Sequence, residues 1–288
     1  MTFLNSPWRR LSLSALPLIA LAGIQPAMAQ SPEGKNAGQD RDTVTVAAGV
    51  AYGPSYQGSD DYRALPGFQL RGKVSNHHFF MRGLQLYVDA LPEPDTDGLN
   101  FSIGPVAGVR LDRVNGIRDA QVKALGKKNV AVELGGFAAV SKRGVLLGDY
   151  DSLALRVTYV TDVANAHKSY VVTPAVEYAV PLSKRTLVAL SVSADYVGDG
   201  FARYYRNIDA DGAAASGLAP YSAKGGFSTV NAGLLATRAL GDDLRQGWSV
   251  FGIANYGRQL GDFKDSPIVS DAGSANQWFG AVGIGYTF

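Results

Sequence analysis

The chain contains no cysteine, and beyond its first 22 residues it has no long apolar run. The missing cysteine excludes disulfides, thiolate metal sites, a cysteine nucleophile and the lipidated cysteine of a lipoprotein. A helix needs about 20 predominantly apolar residues to cross a membrane, and no later segment supplies them. Any membrane attachment must therefore come from the fold itself.

An excess of either charge is also missing. The chain has 27 Lys and Arg against 25 Asp and Glu, and two of the cations, Arg9 and Arg10, lie in the leading segment. The remainder is balanced and has no concentrated basic face, so we expect no nucleic-acid partner. Histidine is scarce, with only His77, His78 and His167, and no serine has a nucleophile context. Because catalysis needs a base within reach of its nucleophile, we expect no enzyme, no metal and no cofactor.

The first 29 residues have the parts of a secretory signal peptide. Arg9 and Arg10 end a basic segment, residues 11–22 are mostly apolar, and Ala27 and Ala29 are small residues at the positions that a signal peptidase reads. A transmembrane anchor is the alternative, but the apolar run is too short to span. The sequence therefore predicts a signal peptide at 1–29, cleaved after Ala29.

The rest of the chain divides into a short polar segment and one long patterned region. Residues 30–42 are rich in Gly, Asp and Lys, which favours a flexible periplasmic lead-in. From Thr43 onward, apolar residues recur at every second position, in runs separated by turn residues. Strands of a membrane barrel alternate lipid-facing apolar residues with small or polar residues facing the lumen. We therefore expect a single outer-membrane β-barrel over 43–288.

Strand number follows from counting these runs. Eleven candidate strands can be drawn: 43–52, 64–74, 77–90, 99–111, 130–141, 152–161, 169–180, 186–197, 226–238, 247–259 and 277–288. Bacterial single-chain barrels have an even number, so one run is wrong. The suspect is 77–90, because its apolar phase changes at Gly83, as a bulge or a broken strand would cause. We predict an all-β transmembrane antiparallel barrel of about twelve strands, with ten as the alternative.

The carboxyl-terminal run is the most specific part of the pattern. Trp278, Val282 and Ile284 alternate with small residues, and the chain ends with Tyr286 and Phe288 on the same face. A final aromatic is part of the assembly signal of bacterial outer-membrane barrels. We therefore predict that Tyr286 and Phe288 direct assembly, with the barrel assembly machinery as a partner. Since the last strand descends to the periplasm, 198–225 and 260–276 are predicted to be extracellular.

Charged residues inside the runs fall on the face opposite the apolar one. A charge on the lipid face costs about 2–4 kcal/mol at the midplane, so these side chains are expected to face the lumen. They are Arg71, Lys73, Asp89, Arg110, Glu133, Arg156, Glu177 and Asp195. Four of each sign favour a narrow or largely filled lumen, while a polar channel with a selectivity zone remains the alternative.

A second candidate site is the segment 260–270, which we call the cap. Asp262 and Asp265 carry charge, Pro267 stiffens the chain, and Ile268 and Val269 are apolar residues in a segment predicted to be an outer loop. We expect the cap to fold back onto the extracellular rim, with its carboxylates paired to Arg63 or Arg203. A ligand or adhesin contact is the other interpretation, since loops often carry binding residues.

Three ordered motifs resemble the MipA/OmpV family of Gram-negative outer-membrane barrels. They are Pro54-Ser55-Tyr56-Gln57-Gly58-Ser59-Asp60-Asp61-Tyr62, then Asp195-Tyr196-Val197-Gly198-Asp199-Gly200, then Leu260-Gly261-Asp262-Phe263-Lys264-Asp265-Ser266-Pro267-Ile268-Val269. The resemblance covers nearly the whole chain after the signal peptide. Relatives more often carry small residues and Asp where this chain has Asp262-Phe263-Lys264-Asp265.

The resemblance implies one of two roles in the outer membrane. One is a scaffold joining a lytic transglycosylase to a peptidoglycan synthase, and the other is a protein of solute or antibiotic entry and adhesion. We expect a monomer with a porin-like or surface structural role, in contact with outer-membrane lipids and lipopolysaccharide. The scaffold, with murein-remodelling enzymes as partners, is the alternative; short periplasmic turns speak against it.

Overall fold

The computed structural model describes Ile19–Ala20 and residues 42–92 and 98–288. The predicted signal peptide, apart from those two residues, and the predicted lead-in up to residue 41 lie outside the described part. Twelve barrel strands run through this part of the chain: β1 Thr43–Pro54, β2 Tyr62–Val74, β3 His77–Arg82, β4 Gln85–Val88, β5 Leu99–Arg110, β6 Ala131–Arg143, β7 Ser152–Asp162, β8 Tyr170–Ser183, β9 Thr186–Val197, β10 Gly226–Ala239, β11 Gly247–Gln259 and β12 Asn276–Thr287. The predicted count of twelve is confirmed.

The strands form one closed antiparallel sheet in which each strand pairs with its neighbours in sequence. Closure joins β12 to β1, from Gly280 opposite Tyr52 to Thr287 opposite Thr45. Closing a sheet in this way leaves no open edge along that line, which membranes require because lipid offers no partners for backbone polar groups.

The predicted strand 77–90 is two short strands. β3 and β4 form a hairpin around Gly83, whose φ of +54° suits glycine. The hairpin is shorter than the strands beside it, so β3 pairs only with the lower part of β2, from Arg71 to Val74. Ile19–Ala20 pairs in parallel with Gly67 and Phe68 of β2. The phase change at Gly83 therefore marks a turn inside the wall.

Aromatic side chains form a girdle around the barrel near each end of the strands. At the end with the long connections, rings of adjacent strands contact one another, as in Tyr52 with Tyr62 and Tyr256 with Trp278. At the opposite end, Tyr286 contacts both Trp248 and Phe288. Amphipathic rings favour the lipid–water interface. These two girdles bracket the hydrocarbon zone.

Five short helices lie in the long connections: α1 Ala120–Ala124, α2 Asp199–Arg206, α3 Ala210–Ser216, α4 Gly261–Asp265 and α5 Pro267–Ser270. All belong to connections at one end of the barrel, after β5, β9 and β11. Outer-membrane barrels place long connections outside and short turns in the periplasm, so this is the outer end. None of the helices among the described residues has the length and apolar character to span a membrane.

Buried apolar side chains fall into three clusters. One lies on the inner face of β3–β9 and includes Phe80, Tyr87 and Phe137, together with residues of α2. A second lies on the inner face of β8–β12 and β1, where alanines alternate with larger residues such as Leu187. The third lies among the outer connections. The buried core thus consists of side chains that fill the lumen and side chains that pack among the outer connections.

Candidate functional site

The clearest feature of the lumen is an ion pair that crosses it. Glu177 on β8 accepts hydrogen bonds from Arg156 on the adjacent β7, at 2.8 Å, and from Arg82 on β3. Strands β3 and β8 lie five steps apart around a ring of twelve, so the contact between Arg82 and Glu177 is nearly diametric. Phe80 and Tyr87 pack beneath the guanidinium groups of Arg82 and Arg156 respectively. A solute passing here would have to separate these charges.

A second buried carboxylate lies closer to the outer end. Glu133 accepts two hydrogen bonds from Arg110 on the neighbouring strand, at 2.7 and 3.1 Å, and one from Gln85 at 3.1 Å. The Nε2 atom of His167, in the connection after β7, lies 3.3 Å from the same carboxylate. Both Glu133 and His167 are buried. Three strands, β4, β5 and β6, and one connection are thereby joined at one acidic side chain.

The other charges predicted for the lumen have different surroundings. Lys73 and Asp89 are buried and Arg71 is half-buried. Asp89 accepts the backbone N–H groups of Leu91 and Ile103, at 3.0 and 3.3 Å, and so fixes the start of the connection after β4 to β5. Asp195 accepts a hydrogen bond of 2.7 Å from Thr173. Of the eight predicted charges, the structure brings together two pairs, Arg110 with Glu133 and Arg156 with Glu177.

Helix α2 enters the lumen from the outer end, and we call it the plug. Phe201, Ala202 and Tyr205 of the plug are buried against the strand residues of the first cluster. The Phe201 ring lies 5.0 Å from the guanidinium of Arg110 and 5.1 Å from the ring of His167. The plug therefore covers the site around Glu133 with apolar and aromatic groups.

The buried cation Arg206 fastens the plug to the rest of the outer end. Its Nη2 donates to the carbonyl of Gln57 at 2.9 Å and to Oε1 of Gln259 at 3.2 Å. The backbone carbonyl of Arg206 accepts a hydrogen bond of 3.0 Å from the hydroxyl of Ser266, in the cap. The first outer connection, the plug, the end of β11 and the cap thus meet at one residue.

Two apolar residues of the cap, Ile268 and Val269, are fully buried. Ile268 and Val269 are 0% and 1% exposed and pack in the third cluster with Tyr56, Val122 and Leu218. The Tyr56 hydroxyl donates to the Ala272 carbonyl at 2.8 Å. Burial raises the pKa of Tyr56 above its ordinary value, so the hydroxyl keeps this proton.

The predicted partners of the cap carboxylates are wrong. Asp262 accepts the backbone N–H of Lys224 at 2.8 Å, and Asp265 pairs with the adjacent Lys264 at 3.3 Å. Arg203 lies 3.9 Å from Asp199 one helical turn away, while the Arg63 guanidinium packs beside Gly116. The cap carboxylates take these donors because a folded loop brings backbone N–H groups and the adjacent lysine closer than either predicted arginine.

The predicted assembly residues lie at the periplasmic end of the last strand. Tyr286 pairs with Val46 of β1 and Trp248 of β11. The backbone N–H of Phe288 donates to the Val44 carbonyl at 2.9 Å, and its ring is exposed. The final residue therefore extends the pairing that closes the barrel and presents its ring on the outer surface.

The sequence pattern did not predict three residues of the lumen and its plug: Arg82, His167 and Arg206. Arg82 follows from the same alternation once the turn at Gly83 is placed, because Phe80 and Arg82 then face inward. His167 and Arg206 belong to connections, where period-two patterning carries no information about direction. A sequence signal exists for Arg82 alone.

A closed antiparallel barrel with apolar outward faces, two aromatic girdles and buried internal charges defines a bacterial outer-membrane β-barrel protein. A family model described as MltA-interacting protein MipA matches residues 46–288. The chain belongs to the MipA family, and its location is the outer membrane. No curated protein matches this chain.

Several solved structures resemble the barrel. The COG4313 outer membrane channel from Pseudomonas putida F1 is 13% identical with a TM-score of 0.45, covering 92% of this chain and 100% of that one. The outer membrane channel DcaP of Acinetobacter baumannii is 10% identical with a TM-score of 0.39, covering 86% and 96%. The translocator domain of the autotransporter NalP from Neisseria meningitidis is 12% identical with a TM-score of 0.33, covering 87% and 90%. Likeness at this level carries no argument about function.

Proposed function

We propose that this protein is a non-catalytic, porin-like barrel whose lumen is closed at rest and passes small hydrophilic solutes poorly. The observation that carries the proposal is the contact of Arg82 with Glu177 across the lumen. Breaking a buried ion pair by removing one partner costs about 3–5 kcal/mol. Separating the intact pair inside the lumen would likewise leave a buried charge without its partner, so we expect the open arrangement to be rarely populated.

Two further layers support a closed resting state. The plug packs over Glu133 and Arg110, and the cap contacts the plug through Phe263, whose ring centroid lies 6.1 Å from that of Phe201. Barrels of small strand number are largely filled by their own side chains. A hydrophilic solute entering from outside meets the cap, the plug and then the crossing ion pair in succession.

Single-channel recording of the purified barrel in planar bilayers tests this proposal. The wild-type protein is expected to give no stable conductance of porin size. Arg82→Ala should raise the conductance, because it removes the side chain that crosses the lumen and leaves Glu177 to draw in water. Arg110→Ala and Glu133→Ala should do the same at the outer site. Arg258→Ala, which removes an exposed cation outside the lumen network, is the matched control and should leave the recording unchanged.

A large steady conductance from the wild-type barrel would refute the closed lumen and establish an open channel. If the wild type and Arg82→Ala both show the same small conductance, the main barrier to solutes is the plug and cap and not the ion pair. The heat-modifiable gel shift of each variant establishes that the barrel has folded before any recording is interpreted.

The second candidate function is docking of a murein enzyme, which the family description suggests by naming an interaction with MltA. One observation favours it. The periplasmic connection between β6 and β7 exposes Leu146 and Leu147, at 68% and 74%, and Asp151 holds it in shape by accepting three of its backbone N–H groups. Exposed apolar residues on an ordered loop are typical of an interaction surface.

Chemical cross-linking in isolated envelopes separates this candidate from the first. If the loop docks a lytic transglycosylase, Leu146→Asp with Leu147→Asp should abolish the cross-linked product while the barrel folds normally. Leu182→Asp, at another exposed periplasmic position, is the control. Unchanged cross-linking, or none in the wild type, removes the docking role from this loop.

A further inference from the structure

A cavity of about 420 Å³ opens at the outer end beside the plug. Its walls come from two connections: the one after β5, and the one after β9, which contributes both the plug and the segment that follows it. Leu125 and Ile208 form apolar walls, and Asn207 and Ser222 add polar groups. The cavity lies outside the lumen network of Glu133 and Glu177 and shares only the plug with it.

Three cations line this cavity: Arg113, Lys128 and Arg203. Arg113 is buried, and its two terminal nitrogens donate to the carbonyls of Tyr205 and Gly126 at 3.1 and 3.5 Å. Its Nε is buried without a hydrogen-bond partner among the residues the structure describes. Two backbone carbonyls thus hold the Arg113 guanidinium, and its Nε–H donor is unused.

Three carboxylates lie near these cations, and one of them, Asp209, lines the cavity itself. Asp209 accepts the backbone N–H of Gly212 at 2.8 Å as the N-cap of α3, and Asp112 accepts the backbone N–H of Gln57, also at 2.8 Å. Asp199 lies 3.9 Å from Arg203, in a pair that is mostly exposed. Exposed pairs contribute only about 0–1 kcal/mol. Asp209 and Asp112 remain charged and offset part of the positive charge at Lys128, whereas the exposed Asp199 offsets little of the charge at Arg203.

The ammonium group of Lys128 lies in a partly desolvated position beside Arg113. This ammonium lies 4.8 Å from the ring centroid of Tyr204. Burial lowers the pKa of Lys128, the charge of Arg113 lowers it further, and Asp209 and Asp112 oppose them, leaving a pKa of about 8. The lysine is charged at neutral pH at a cost that a bound anion would relieve.

We propose that this cavity binds a phosphate monoester carried on a small polar molecule, of the size of a sugar phosphate. Clustered Arg and Lys are the usual ligands of phosphate, and hydrogen bonds between ionised groups are about twice as strong as neutral ones. The cavity is larger than an inorganic phosphate needs, and Asn207 and Ser222 are placed to meet hydroxyl groups. Such phosphates occur on soluble metabolites and on the phosphorylated sugars of lipopolysaccharide.

Calorimetric titration of the purified full-length barrel with glucose 6-phosphate tests the site at pH 7, with glucose as the neutral control. Glucose 6-phosphate is expected to bind and glucose is not. Lys128→Gln and Arg203→Gln should each weaken binding about tenfold or more, the size of one charge-assisted hydrogen bond. Arg258→Gln removes an exposed cation elsewhere at the outer end and should leave the affinity unchanged.

The pH dependence of the affinity is a second measurement, which should not change with Lys128 if that residue were only structural. Wild-type affinity should fall as the pH rises from 7 to 9.5, because Lys128 loses its proton, while Lys128→Arg should keep its affinity over that range. Absence of binding by the wild type, or equal binding by wild type, Lys128→Gln and Arg203→Gln, overturns the proposal. Competition by purified lipopolysaccharide assigns the membrane as the source of the phosphate; binding without competition assigns a soluble ligand.

Discussion

Replacement of Ile268 by alanine tests whether the cap is held by packing. The Ile268 side chain is fully buried among Tyr56, Val122 and Leu218, and such an Ile→Ala change costs about 2–5 kcal/mol. The cap makes few ion pairs beyond its own Lys264 with Asp265, so apolar burial dominates its stability. A free-energy change of about 1.4 kcal/mol alters an equilibrium constant tenfold. Even the lower estimate, about 2 kcal/mol, therefore raises the population of the opened cap roughly 30-fold.

Trypsin provides the assay, because Lys264 lies within the cap. Cleavage that follows local opening tracks the equilibrium population of the open form. The Ile268→Ala barrel should therefore be cut after Lys264 about 30-fold faster than wild type, and Ile268→Asp faster still, since a carboxylate would be buried without a cation. Mass spectrometry of the fragments identifies the cut.

A matched pair of valines controls for loss of methyl groups as such. Val269→Ala empties a buried position and should also speed the cut. Val163→Ala makes the same change at an outer position that is 49% exposed and should not. If Ile268→Ala is cut at the wild-type rate while adhesion or uptake is lost, the packing argument is wrong and the cap is a recognition surface.

Three further predictions concern export, assembly and pH. Mass spectrometry of outer-membrane protein should show an amino terminus at Gln30, and retention of residues before Ala29 would disprove the signal-peptide assignment. Phe288→Ala should lower the yield of the heat-modifiable folded form, because Phe288 ends the closing strand, whereas Phe227→Ala, at the outer girdle, should not; equal yields count against an assembly role. Partial desolvation raises the pKa of Asp151, but hydrogen bonds from Tyr178 and three backbone amides outweigh it and lower the pKa to about 2. That carboxylate therefore stabilises its loop above about pH 4, and the contribution is lost as the pH falls towards 2. Pepsin should cut the loop near pH 2 but not near pH 4 in the wild type, and already at pH 4 in Asp151→Asn; identical cleavage of both proteins would contradict this.

The barrel was predictable because a membrane wall imposes a strict period of two on every strand. Val188, Leu190 and Val192 face lipid for the same reason that Ala189 faces the lumen, and neither depends on distant contacts. The change of phase at Gly83 located a break in the strand for the same reason. The end of β3 at Arg82 and the start of β4 at Gln85 follow from that break.

The outer end was much less predictable, because its helices are too short to form on their own. A helix of five to eight residues is unstable in isolation, and α2 and α4 depend on packing against Tyr87, Phe137 and one another. Burial of Ile268 and Val269 was suggested by their apolar character. The partners of Asp262 and Asp265 were not, since backbone donors such as Lys224 N–H leave no mark in a sequence.

The short hairpin of β3 and β4 has a consequence for local stability. Above Arg71, β2 pairs fully with β1 on one side, but on the other side the described residues pair with it only at Gly67 and Phe68. Amide protons there lack the second strand that protects central strands from solvent exchange. Backbone amides between Arg63 and Leu70 should therefore exchange with deuterium sooner than those of β11, which is paired along both edges. On heating or in denaturant, the strands of the barrel should accordingly separate first at the upper part of β2.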